Sequence, residues 1–140
     1  MKILLAVDGS AYTQKMLDYL VTHQATMGEA VEYTALTVCA EVPPRARKAL
    51  GKETVEQYYA EECEKVLSPV LAFLSQHGIT VASLAKVGQA GETIAQIAEE
   101  GKYDLIIMGT HGANALNRLV MGSVSTKVLA QCSVPVMLIR

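Results

Sequence analysis

Neither sign of charge prevails in this chain: 12 lysines and arginines stand against 14 aspartates and glutamates, a formal net charge of −2. No nucleic-acid or membrane-surface partner held by bulk electrostatics is therefore expected. Cysteine is scarce. Cys39, Cys63 and Cys132 are odd in number, far apart and without a C-x-x-C pair, which suits reduced thiols in a cytoplasmic protein better than a disulfide framework or a zinc site. Each reads as a small core or near-surface thiol. Long apolar runs are also missing at the start, where only Ile3 to Val7 precede Asp8. That run is too short for a signal-peptide core or a spanning helix. Two common phosphate-binding signatures are absent, G-x-x-x-x-G-K-[ST] and a G-x-G-x-x-G after the first strand, so any nucleotide site here must be built another way.

What is present is a domain-sized chain of 140 residues, 51% apolar and 19% charged, enough for one folded core. Its most informative stretch is Leu105-Ile106-Ile107-Met108-Gly109-Thr110-His111-Gly112, followed after nine residues by Gly122-Ser123-Val124-Ser125-Thr126. An apolar run stops at a Gly/Thr/His/Gly cluster, and a second glycine with hydroxyl residues then opens a helical pattern. Such a strand–loop–helix start forms an anion cradle, because glycines let backbone N–H groups approach a phosphate and the helix start carries positive potential.

Taken in order, Ile3–Val7 is a continuous apolar run, which suggests a strand covered on both faces and ending at Asp8-Gly9-Ser10. A helix follows with Met16, Leu17, Leu20 and Val21 on one face, capped by Ser10 or Thr13 and ending near Gly28. Val31–Val38 is the second strand. Residues 39–52 hold Pro43-Pro44 and the basic group Arg45, Arg47 and Lys48, and are expected to form a long loop. A long helix from Thr54 to about His77 carries Pro69, which is expected to kink or divide it. Ile79–Val87 is the third strand, a short helix places Ile94, Ile97 and Ala98 on its buried face, and Asp104–Met108 is the fourth strand. The last helix uses Val124, Val128 and Leu129, and Val134–Ile139 is the fifth strand. Strands alternating with helices of crossover length give an α/β fold, an open parallel sheet with helices on both faces. Pro135 lacks a ladder donor and puts the fifth strand at an edge, where a second subunit is expected to pair with it.

Ligands of open α/β sheets sit beyond the carboxyl ends of the strands where the strand order reverses. If the first and fourth strands meet there, Asp8 faces Gly109–Gly112. Its carboxylate would accept from a ribose or help hold a divalent cation alongside phosphates. Ser123, Val124 and Ser125 lie in the first turn of a helix, where N-capping and phosphate contact are compatible. His111 is a candidate phosphate or metal contact, with a base as the lesser alternative because no Asp, Glu or Cys stands at a triad-like spacing, and Arg118 in the spacer either reaches phosphates or is solvated. A phosphoacceptor receiver domain would want an aspartate ending the third strand and a lysine ending the fifth, where this chain has Val87-Gly88 and Arg140.

The pattern Gly109-x2-Gly112-x9-Gly122-Ser123, with Val7-Asp8-Gly9-Ser10 at one end of the chain and Ser133-Val134-Pro135-Val136-Met137-Leu138-Ile139 at the other, resembles the universal stress protein family. The resemblance covers the whole chain and implies a single domain, residues 1–140, with a Rossmann-like, adenine nucleotide alpha hydrolase-like sheet of strand order 3-2-1-4-5. It implies ATP as ligand, AMP or cyclic AMP as alternatives, magnesium or manganese carried with the nucleotide near Asp8, and a homodimer through the last strand. By position, Ala6, Val7 and Asp8 would line the adenine and ribose end, and Val38 would meet adenine through its backbone. Met108, Gly109, Thr110, His111 and Gly112 would flank ribose and phosphates, with Gly122, Ser123, Val124 and Ser125 on the phosphates. No catalytic residue is assigned. The expected role is a regulatory stress-response factor; a slow ATPase or phosphotransferase at the same site, or a nucleotide-free dimeric interaction module, are the alternatives.

Overall fold

Ile3, Leu4 and Leu5 are all fully buried, although successive side chains of a strand point to opposite faces. Both faces of the sheet must therefore be covered, and the core divides accordingly. Ile3, Leu5 and Val7 join Met16, Leu17, Leu20, Leu67, Val70 and Leu74 on one side. Leu4 joins Leu36, Ile94, Ala98, Ile106, Met108 and Val128 on the other. The computed structural model describes residues 1–112 and 121–140.

In chain order the elements are β1 (Lys2–Ala6), α1 (Ala11–Thr22), α2 (Gln24–Met27), β2 (Glu32–Cys39), α3 (Pro44–Leu50), α4 (Lys52–Gln76), β3 (Val81–Val87), α5 (Ala90–Glu100), β4 (Leu105–Gly109), α6 (Ser123–Gln131) and β5 (Val136–Ile139). The five strands form one sheet in the order β3-β2-β1-β4-β5, and every described pairing is parallel. From β1 the chain steps outward to β2 and β3, then crosses back to β4 on the other side of β1. The strand order thus reverses between β1 and β4, whose C-terminal ends are in register at Ala6 and Met108. Helices α1 and α4 cover one face, α5 and α6 the other, through the two halves of the core.

The structure departs from the sequence reading in several places. The first helix stops at Thr22, and a separate short helix over Gln24–Met27 follows His23. Residues 39–52 are not a plain loop, because Pro44 opens α3 at its first helical position. A proline costs nothing there, since the N–H it lacks would have had no intrahelical partner and its fixed φ suits a helix start. Gly51, at φ +84°, then reverses the chain between α3 and α4, a conformation that side chains disfavour. Pro69 does not divide α4, which runs unbroken from Lys52 to Gln76. It lies on the exposed side of the helix while Leu67, Val70 and Leu74 are buried. Water can satisfy the carbonyl the proline leaves, and core packing on the other side holds the axis together.

Strand β5 occupies the edge, as Pro135 suggests, but begins at Val136. Pro135 stands just outside it, and its carbonyl accepts the N–H of Ile106 at 2.9 Å. Among the described residues no helix is long and apolar enough to cross a membrane.

Candidate functional site

Beyond the ends of β1 and β4 lies a cavity of about 350 Å³. Ala6, Val7 and Asp8 form one wall, Met108, Gly109, His111 and Gly112 another, and Gly122, Ser123, Val124 and Ser125 bring in the start of α6. Val38 completes it from β2. Of the site residues named from the sequence, Thr110 alone does not line this space. It is buried, its N–H donates to Ile139 and its carbonyl accepts the N–H of Gly122 at 2.6 Å, so it fastens the cradle loop to β5 and to α6. Arg118 lies outside the described residues.

Asp8 is held by its own turn. Its Oδ1 accepts from the Ser10 N–H and the Thr13 hydroxyl, each at 2.9 Å, while its N–H donates to Thr13 Oγ1 at 3.0 Å. This reciprocal clamp, made possible by the left-handed Gly9 at φ +77°, is an aspartate turn of the kind that fixes a helix entry. Ser10 is the N-cap of α1 by position but makes no capping bond through its side chain. Oδ2 is the oxygen turned toward Gly112, where an added Cβ would approach it to 2.9 Å.

The three glycines of the cradle are needed for close approach and not for unusual backbone angles, since none of them has a positive φ. A Cβ on Gly109 would meet Cβ of Tyr12 at 2.6 Å, and one on Gly122 would meet the Thr110 carbonyl oxygen at 3.1 Å and His111 Cα at 3.2 Å. The glycines let α1, the loop after β4 and the start of α6 crowd together. His111 packs against the Tyr12 ring, with centroids 5.0 Å apart, and its Nδ1 lies 2.9 Å from the Thr110 hydroxyl oxygen.

Gly122, not Ser123, is the N-cap of α6. The helical ladder begins with Thr126 N–H donating to the Gly122 carbonyl, so the N–H groups of Ser123, Val124 and Ser125 precede it. Those three donors sit at the positive end of the helix dipole, an arrangement suited to an anion. The two serines differ. Ser125 is buried and its hydroxyl is shared between the carbonyls of Gly109 and Thr110, both at 3.0 Å; Ser123 is exposed. Ser125 therefore offers a ligand its backbone N–H, whereas Ser123 also offers a hydroxyl.

On the other side, Val7 N–H donates to the Leu36 carbonyl at 2.9 Å, and the β1–β2 ladder ends at Ala6 and Leu36. Two residues on, the N–H and carbonyl of Val38 point the same way as those of Leu36. They face the space that β1 has vacated, one donor and one acceptor side by side. Thr13, Leu36, Ala90 and Ile94 also line the cavity and were missed in the sequence reading. Leu36 shares a face of β2 with Val38, and Ala90 and Ile94 are one turn apart on α5, so strand and helix periodicity would have found them. Among the described residues no three His, Cys, Asp or Glu side chains cluster to hold a metal ion.

Fold and crevice define a doubly wound α/β protein with a cavity at the switch point of its sheet, onto which the start of a helix opens. The chain belongs to the universal stress protein family, whose family model matches residues 1–140. It is 28% identical over 147 residues to the universal stress protein YxiE of Bacillus subtilis, covering 99% of this chain and 98% of that one. It is 30% identical over 140 residues to MJ0531 of Methanocaldococcus jannaschii, covering 99% and 81%. Against Slr1230 of Synechocystis, 30% identical over 139 residues, it again aligns over 99% of its own length but spans only 42% of the longer protein. Among solved structures, MJ0577 of M. jannaschii superposes with a TM-score of 0.82 at 28% identity, covering 99% of this chain and 94% of that one. A universal stress protein of Archaeoglobus fulgidus in complex with dAMP shares the fold, with a TM-score of 0.68 at 20% identity, 100% of this chain and 98% of that one being covered. So does an Arabidopsis thaliana member with AMP bound, with a TM-score of 0.69 at 14% identity and coverage of 99% and 90%.

Proposed function

We propose that this protein binds an adenine nucleotide, ATP foremost, in the crevice between β1 and β4 and acts as a regulatory factor in a stress response, without turning the nucleotide over. The observation that carries this reading is the single cavity onto which both the start of α6 and Val38 open. The helix start supplies N–H donors for phosphate oxygens. The N–H and carbonyl of Val38, which face past the end of the β1–β2 ladder, match the ring nitrogen and amino group along one edge of adenine. Other family members hold AMP, dAMP or cyclic AMP, which supports the ligand class.

A divalent cation fits only as part of the ligand. Asp8 Oδ1 is already engaged by Ser10 and Thr13, which leaves Oδ2 as one hard oxygen donor, and nucleotide phosphates and water would supply the rest. The site holds groups that grip and orient; among the described residues His111 Nδ1 does meet a hydroxyl, that of Thr110, but Thr110 is buried and does not line the cavity, and this favours binding over catalysis. The outer edge of β5 exposes parts of Val136, Met137, Leu138 and Ile139. A second copy pairing along this edge would cover it and give a homodimer.

The test is calorimetric titration of ATP, AMP and GTP into the purified protein and into Gly122→Asp, which would place a carboxylate and a Cβ at the helix start. ATP is expected to bind the native chain and not the variant. Equal affinity in both would remove the site assignment, and steady phosphate release from ATP with magnesium would favour the enzyme reading instead. Sedimentation at micromolar concentration reads the dimer.

A further inference from the structure

We propose that Cys39 and Cys63 form a redox modification site at the base end of the nucleotide crevice, where oxidation joins them in a disulfide that ties the end of β2 to α4. Cys39 is the last residue of β2 and directly follows Val38, a residue of the crevice wall. Its thiol is half-buried and points at the Tyr59 carbonyl of α4, with 3.9 Å between sulfur and oxygen. One turn further along the same face of α4 is Cys63, 4% exposed. The same turn of α4 also secures the chain leaving β2, since Val42 N–H donates to the Tyr59 phenol oxygen at 2.8 Å. Two thiols from different elements thus meet on one anchored junction.

The thiol environment sets the rate of the chemistry. Burial first, then the neighbouring Cys63 thiol and the charge of Glu62, push the Cys39 pKa up to about 12. Little Cys39 thiolate exists near neutral pH, so Cys39 resists brief exposure to oxidant and responds to sustained or alkaline exposure. With a peroxide as oxidant, the Cys39 thiolate attacks one peroxide oxygen, the O–O bond breaks, and hydroxide leaves to become water as Cys39 becomes a sulfenic acid. Cys63 sulfur then attacks the Cys39 sulfur, an S–S bond forms, the S–O bond breaks, and the hydroxide leaves as a second water with the Cys63 proton. Two thiols and one hydrogen peroxide give one disulfide and two waters. Cys132 packs against the other half of the core, the cluster that contains Ile94, Ala98 and Val128, and serves as the internal control.

Tying Cys39 to α4 also restrains Val38, and this second consequence rests on the nucleotide reading given above. The experiment separates the two. The purified native chain is treated with excess hydrogen peroxide at pH 7 and pH 9, quenched, denatured, alkylated and mapped by peptide mass spectrometry without reductant. The expected product is an intramolecular Cys39–Cys63 cross-link that dithiothreitol reverses, with Cys132 still free, formed roughly a hundredfold faster at pH 9 because thiolate grows tenfold per pH unit below the pKa. Full alkylation of both Cys39 and Cys63 after treatment, or a cross-link joining other cysteines, overturns the site. ATP titration of the oxidised and reduced chains is expected to differ by about tenfold or more in Kd, and equal affinities overturn the coupling to Val38. If the reduced chain binds no nucleotide at all, the nucleotide reading fails while the peptide map still decides the disulfide.

Discussion

The Cβ that Gly112 lacks would stand 2.9 Å from Asp8 Oδ2, so the two walls of the crevice touch across a gap that only a glycine leaves open. Residues 104 positions apart in sequence meet because β1 and β4 are neighbours. A methyl group here must turn aside Asp8 Oδ2, the exposed end of a side chain whose Oδ1 is clamped by Ser10 and Thr13, so the cost falls on the geometry of the site more than on the core. Gly112→Ala is expected to change stability by less than about 1 kcal/mol while weakening ATP binding by roughly tenfold, ~1.4 kcal/mol. Combining it with Asp8→Ala should restore space. If chemical denaturation and calorimetry show the reverse, a large stability loss with unchanged affinity, the contact is structural and the crevice lies elsewhere.

Ser123 and Ser125 sit two residues apart at the start of α6 and should part company under mutation. Ser125 is buried, and its hydroxyl serves two carbonyls of the cradle loop, so Ser125→Ala leaves buried acceptors short of a donor and is expected to cost about 1–2 kcal/mol in unfolding free energy. Ser123 is exposed, and Ser123→Ala should leave stability within about 0.5 kcal/mol while lowering ATP affinity several-fold. Urea unfolding and nucleotide titration on both variants read the two effects separately. Comparable stability losses in the two would contradict the division of labour.

The pattern of apolar runs made the sheet readable, because a strand buried on both faces, such as Ile3–Val7, is marked by continuity where a one-sided strand would alternate. The strand order 3-2-1-4-5, implied by the family resemblance, is the order observed. What stayed hidden depended on through-space packing. The Gly/Thr/His/Gly cluster suggested a backbone open to phosphate, yet Gly109 is glycine because Tyr12 presses on it, a contact between two elements that no local pattern encodes. Pro43-Pro44 was read as a break when it is a helix start, since adjacent prolines have the same local signature in either setting until the following turn closes. The thiols were read singly, and the meeting of Cys39 with Cys63 follows from where α4 crosses the end of β2.

Glu99 near the end of α5 accepts both the N–H and the hydroxyl of Ser133, each at 2.6 Å, and so holds the turn that leads from α6 into β5. The Ser133 hydroxyl first, then its N–H, hold the carboxyl below its ordinary pKa, against a small opposing effect of desolvation. A carboxylate whose folded pKa is depressed adds stability that is fully present above its unfolded pKa, about 4.3, and is lost as pH falls through the folded value. Acidification below the ordinary carboxylate range is therefore expected to erode this contribution. Glu99→Gln keeps an acceptor oxygen but cannot titrate, so it should be the less stable chain at pH 7, and the gap should narrow as pH falls through the folded pKa of Glu99. The measurement is Tm of the two chains from pH 7 downward, and the difference should shrink steadily toward zero on the acid side. A gap that stays constant with pH would mean that the carboxylate charge does not strengthen the Ser133 contact, and that β5 is held at this end by its ladder to β4 and by the packing of Val134 and Val136.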